Sequence, residues 1–165
     1  MRVPRSAILT AAVVAVAVLA WLLWPEGDDR AITRRLTELA GLVNESAAEG
    51  LGTVTRAAEI GTYFTDDVVM DPGQGAAPMT GRETVIGMAA RFQPSAMSRV
   101  VRLEDVVVAT RQGTGIADVA LTVTFTGPDA KTGEPTIDAR EFALEMRKES
   151  GAWLIARATA VDTLR

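Results

Sequence analysis

A carboxylate followed at once by proline on the rim of a glycine-rich loop can organise proton transfer. The stretch "DDVVMDPGQGAAPMTGRE", residues 66–83, holds such a pair at Asp71 and Pro72. Proline disfavours helical backbone for the residue before it, so Asp71 is presented from an extended segment. The carboxylate has three uses there: general base towards an acidic proton, acceptor for the loop amides around Gly73 and Gly75, or holder of a ligand or cation. Asp66 and Asp67 read as a helix-end and strand-entry pair facing water. A calcium site would need more oxygen ligands at closer loop spacing. Arg82 and Glu83 serve a helix start, with Glu83 near the positive end of the helix. "GQGAAP" lacks the lysine and the strand-to-helix context of a phosphate loop. "NES" at Asn44 matches a glycosylation acceptor but lies on a predicted helix.

Composition narrows the chemistry further. The 165 residues contain no cysteine and no histidine, which removes thiol nucleophiles, histidine-based triads, disulfides and the usual zinc sites. Acid or base work would fall to Asp, Glu, Lys, Arg or Tyr63, the one tyrosine; no cofactor or metal is expected. The formal net charge of -4 and the lack of a basic cluster argue against nucleic acid as a partner. A hydrophobic content of 48% is enough for one folded core.

Four stretches position these groups: a stub at 1–5, a span at 6–25, a linker at 26–30 and a domain at 31–165. The span, "SAILTAAVVAVAVLAWLLWP", carries no charge. As a helix rising about 1.5 Å per residue it crosses the roughly 30 Å hydrocarbon core of a bilayer. Arg2 and Arg5 precede it and Glu26, Asp28 and Asp29 follow, so the expectation is a single-pass protein of the bacterial inner membrane, with its N-terminus in the cytoplasm and its C-terminal domain periplasmic. Trp21 and Trp24 fit an interfacial belt. A cleaved signal peptide is the competing expectation, with Val18–Ala20 as the site, although the apolar run continues past it through "WLLW".

Beyond the linker, Ile32, Leu36, Leu39 and Val43 recur at helical spacing and predict one buried face. A second helix is expected around Thr55–Phe64, with Val54, Ala58 and Phe64 inward and "TDD" closing it. A short strand "VVM" then leads into the Asp71 loop. Thr80 and Glu83 predict a capping box opening a third helix, with Val85, Ala89 and Phe92 on one side. From Ser98 onward the alternation is that of strands. Ala117, Val119, Leu121, Val123 and Phe125 share a face, as do Phe142, Leu144 and Met146, giving a four-stranded antiparallel meander. Helices gathered against such a sheet make an α+β domain.

The succession "YFTDDVVMDPGQGAAPMTGRE", together with this order of elements, resembles the NTF2-like superfamily, in particular its polyketide-cyclase (SnoaL-like) and ketosteroid-isomerase-like members. The resemblance covers the chain from about Asp29 to Arg165. It implies a cystatin-like cone, three helices on a curved antiparallel sheet enclosing a pocket. In ketosteroid isomerases the Asp of Asp-Pro is the general base, the position of Asp71. Their oxyanion hole needs a tyrosine on the first helix and a protonated aspartate on a late strand. Leu39 and Leu144 stand at those positions. Tyr63 falls near a place where the family can carry a tyrosine backing the hole, although on its own it reads as a helix-end residue with an exposed hydroxyl. Loss of one such donor costs about 2–4 kcal/mol of transition-state stabilisation, so a pocket lined by Leu39, Tyr63 and Leu144 is expected to have left catalysis.

Two functions of different classes follow. One is a membrane-anchored, non-catalytic subunit that helps assemble a larger membrane complex, pairing with other subunits or a second copy through a broad apolar sheet face. Stub, span and domain are similar in layout to the inner-membrane scaffold proteins of type IV secretion and to Mce-associated proteins. The alternative is a SnoaL-like or ketosteroid-isomerase-like enzyme, or a binder of hydrophobic small molecules, using Asp71.

Overall fold

The first helix, α1 (Asp28–Asn44), begins inside the expected linker. Asp28 and Asp29 complement the positive end of its dipole, and Arg30 and Ala31 donate their N–H groups to the Gly27 carbonyl. Asp28 is also tied to the sheet, its Oδ1 accepting from Lys148 Nζ at 2.7 Å and from Trp153 Nε1 at 3.1 Å. Ile32 and Leu36 are buried, and Leu39 and Val43 pack against the core, as the apolar spacing predicts. The computed structural model describes residues 27–45, 51–91, 100–129 and 132–161. The stub at 1–5, the expected span at 6–25 and Phe92 lie outside them. Among the described residues no helix is long and apolar enough to cross a membrane.

The second helix, α2 (Leu51–Gly61), starts and ends earlier than predicted, and its buried positions differ. Ala57 and Ile60 face the core, whereas Ala58 is exposed and Val54 is 62% exposed. Phe64 is buried, but on strand β1 (Phe64–Asp71), which replaces the short "VVM" strand and absorbs the "TDD" expected to close the helix. Small residues on several faces of α2 made the phase of its stripe ambiguous to a sequence reading. Strand β2 (Met79–Thr80) pairs antiparallel with β1. The Gly81 N–H donates to the Val68 carbonyl at 2.8 Å, which holds Thr80 in the sheet. Helix α3 (Arg82–Arg91) therefore opens on Gly81, at φ 88°, whose carbonyl accepts from Thr84 at 3.1 Å, in place of the predicted start at Thr80.

Four long strands complete the domain: β3 (Val100–Arg111), β4 (Ile116–Pro128), β5 (Pro135–Glu149) and β6 (Ala152–Ala160). They form the expected antiparallel meander within a six-stranded sheet of order β2-β1-β6-β5-β4-β3. The sheet is mixed rather than wholly antiparallel, because β1 lies parallel to β6. Alternation in sequence encodes which face a residue joins and carries no strand direction. The inward stripes of β4 and β5 meet α1 in one core, where Ile32, Val68, Ala117 and Met146 are fully buried. Burial of each of the larger three, Ile32, Val68 and Met146, contributes about 1.5–3 kcal/mol.

The opposite face of the sheet carries charged side chains among its apolar ones. Arg111 pairs with Asp118 at 2.6 Å and approaches Glu145 at 3.9 Å across it, and by strand register Arg102, Glu104, Glu141 and Arg157 share that face. The large exposed apolar side chains there are Val107, and Val100 and Ile137 flanking Thr126 in one cross-strand row.

Candidate functional site

Between α1 and the inward face of the sheet lies a cavity of about 200 Å³. Leu36, Leu39, Ala40 and Val43 of α1 form one wall, and Val101, Leu103, Leu121, Val123 and Phe125 of β3 and β4 form the opposite one. Phe142 and Leu144 of β5, Ile155 and Ala158 of β6, and Phe64 and Met70 of β1 close the rest. Alternation places these residues on one face. Several of them, Leu39, Leu103, Val123, Phe125 and Phe142 among them, remain partly exposed, as side chains bordering an opening do. Among the described residues every lining side chain is apolar, so the described wall offers no side-chain acid, base, nucleophile or oxyanion donor.

Two of the residues singled out in the sequence, Leu39 and Leu144, lie in this wall. Tyr63 does not. It is 7% exposed, and the Arg35 guanidinium stacks on its ring at 3.8 Å while Arg35 Nη2 donates to the Thr62 carbonyl at 3.0 Å. Burial pushes the Tyr63 phenol above its ordinary range, partly offset by Arg35. The helix-end tyrosine with an exposed hydroxyl is thus a buried clamp between α1 and the end of α2.

Asp71 is not among the cavity-lining residues. Its neighbour Met70 lines the cavity and pairs with Ala158, another lining residue, while Asp71 pairs with Thr159. Successive residues of a strand point to opposite faces, so the register turns Asp71 to the outer face. There its Oδ1 accepts the Gly73 N–H at 3.0 Å. Gly73, Gln74 and Gly75 follow with φ of 71°, 54° and 74°, a run of left-handed backbone that is cheap at the two glycines, strained at Gln74, and braced by the carboxylate contact.

The other acids of the opening stretch are structural. Asp66 and Asp67 are both exposed because the pairing of β1 with β6 shifts register between Phe64 and Val69. Asp66 pairs with Arg82 Nη1 at 2.7 Å, and Asp67 with Arg147. Hydrogen bonds from Thr65 and then Arg147 hold the Asp67 carboxyl below its usual range. Arg82 does more than start a helix. Its Nε and Nη2 donate to the Phe64 carbonyl at 2.9 and 2.7 Å, locking α3 to the strand that supplies Phe64 and Met70. An arginine in the first turn opposes the helix dipole, the one sequence signal that it is used elsewhere. Asn44 is engaged too, its side chain exchanging two hydrogen bonds with the Val101 backbone at 2.7 and 2.8 Å. Among the described residues no group of carboxylates is placed to hold a metal ion.

Comparison with known proteins agrees with this architecture. The profile of a family described as "SnoaL-like domain" matches residues 27–159. An NTF2-like protein with a cystatin-like fold from Novosphingobium aromaticivorans is 14% identical, with a TM-score of 0.64 over 91% of this chain and 90% of the other. A protein of the same organism provisionally named an aromatic ring hydroxylase is 23% identical, TM-score 0.63, over 86% and 92%. A third, provisionally named a scytalone dehydratase, is 15% identical, TM-score 0.63, over 82% and 83%. Likeness at these identities speaks for the fold alone. No curated protein sequence matches the chain.

Proposed function

The chain belongs to the SnoaL-like domain family, and from that premise we propose that it is a non-catalytic NTF2-like domain that binds a small hydrophobic molecule in its cavity. The observation that carries this reading is the wall itself, apolar at every described lining residue while Asp71 sits on the other face. Binding without groups that meet developing charge holds a molecule without transforming it. A cavity of about 150 Å³ holds benzene, so about 200 Å³ suits a body of roughly six to eight carbons. At about 0.8 kcal/mol per buried CH₂, burial of such a body contributes about 5–6 kcal/mol before the entropy cost of association is subtracted.

The test is titration of the full chain, held in lipid nanodiscs with empty nanodiscs as the blank, with ¹³C-labelled octanol followed by NMR. Saturable binding that Ala40→Phe abolishes is expected, since Ala40 lines the cavity. Isomerase or dehydratase turnover that Asp71→Asn abolishes would overturn the reading in favour of a SnoaL-like enzyme.

The charge-free run at 6–25, with arginines before it and acids after it, supports a single membrane span that places the domain outside the cytoplasm. A mature N-terminus near Trp21 by mass spectrometry would exclude the anchor. A second reading, an accessory subunit of a membrane complex, draws on the outer sheet face, where Ile137 is 70% and Val107 63% exposed. It requires a membrane partner to co-purify with the full-length chain.

A further inference from the structure

The strand that supplies Phe142 to the cavity wall continues outward on the same face with charged residues. In the β4–β5 ladder Arg140 lies directly across from Val123 and Asp138 across from Phe125, and both partners line the cavity. Directly opposed residues of an antiparallel pair share a face with Cβ atoms about 5 Å apart. Arg140 and Asp138 therefore stand on the cavity side of the sheet, next to its outermost lining residues. They are joined by a contact of 3.6 Å between Arg140 Nε and Asp138 Oδ2, with both side chains about half exposed, 51% and 56%. An exposed pair of this length holds itself weakly. An incoming anion can therefore displace Asp138 from the guanidinium, whose planar donors match a carboxylate.

We propose that the cavity takes an amphipathic monocarboxylate, its apolar body of six to eight carbons inside and its carboxylate on Arg140. The proposal rests on the apolar-binding reading above and adds the head group. The cavity supplies affinity without polarity and Arg140 supplies polarity at the opening, so the pair selects one end of the ligand to remain outside. Asp138 opposes the head group and sets how tightly it is held.

Octanoate, octanol and octylammonium share one tail and differ in head group, and each is titrated by NMR against the full chain in nanodiscs, with empty nanodiscs as the blank. Octanoate is expected to bind about three- to fivefold more tightly than octanol, and octylammonium more weakly than either, the range an exposed charge pair provides. Arg140→Gln should erase the advantage of octanoate over octanol and leave octanol unchanged, whereas Asp138→Asn should strengthen octanoate. Both substitutions break the same ion pair, so a purely structural role would move octanoate affinity in one direction for both. That result, or an octanoate-to-octanol ratio unchanged by Arg140→Gln, overturns the head-group assignment. Failure of octanol itself to bind overturns the apolar-binding reading beneath it.

Discussion

Replacing Asp71 separates loop bracing from catalysis. In Asp71→Ala the Gly73 N–H loses its carboxylate acceptor at 3.0 Å, and the run of left-handed residues behind it loses its brace. A hydrogen bond to a charged group contributes about 1.5–3 kcal/mol when well shielded, and partial exposure of Asp71 reduces this to about 1–2 kcal/mol. For a domain of this size the corresponding fall in Tm is about 3–8 °C. Asp71→Asn retains an acceptor oxygen at the same position and should lose about half as much. Because the register of β1 turns Asp71 away from the face of Met70, neither variant should change octanol affinity by more than about twofold, the tolerance expected of independent sites. Thermal unfolding by circular dichroism and the NMR titration measure the two quantities on the same samples. A tenfold loss of octanol affinity with an unchanged Tm would refute the argument, since it would place the carboxylate in the cavity.

The remaining predictions concern the contacts that hold the cavity walls in place. Arg82→Ala removes two charged donors from the Phe64 carbonyl and should destabilise the domain by about 2–3 kcal/mol in urea unfolding; Arg82→Lys, without the planar fork, should recover only part of that. Gly61→Ala drives a methyl to 2.6 Å from Ile86 Cγ1, an overpacking cost of about 1–3 kcal/mol, and adding Ile86→Ala should recover stability rather than lose more. The Asp28 carboxyl is held below the ordinary carboxylate range by hydrogen bonds from Lys148 and Trp153. Its contribution is thus complete above that range and is lost as pH falls through the lower folded value. Asp28→Asn should flatten the acid limb of a stability profile as pH falls through and below the ordinary carboxylate range while leaving the alkaline limb unchanged.

Much of this architecture is legible in the chain because it is local. The spacing of Ile32, Leu36, Leu39 and Val43 sets the buried face of α1, and the alternation from Ala117 to Phe125 sets the inward face of β4. Both follow from the backbone period of one element. The position of Leu39 in the cavity wall follows from the first of these stripes, and that of Leu144 from the alternation of Phe142, Leu144 and Met146 in β5. Helix α2 was less legible, since its small side chains leave the phase of the stripe undetermined. The Thr80 cap failed because the pairing of β2 with β1 holds Thr80 in the sheet, a contact that no local motif encodes.

By itself, the sequence determined the composition of the chemistry and the order of the elements. Without histidine or cysteine, and with leucines at positions 39 and 144, the inward stripes had to make an apolar interior wherever they met. Only the tertiary structure decided which way neighbouring residues face at the ends of strands. Met70 and Asp71 are adjacent and equally plausible as cavity residues until β1 pairs with β6 and fixes Met70 inside. Arg140 reads as one more surface charge until its place across from Val123 brings it to the opening. The register of a ladder is a non-local property, and a shift of one residue exchanges the two faces.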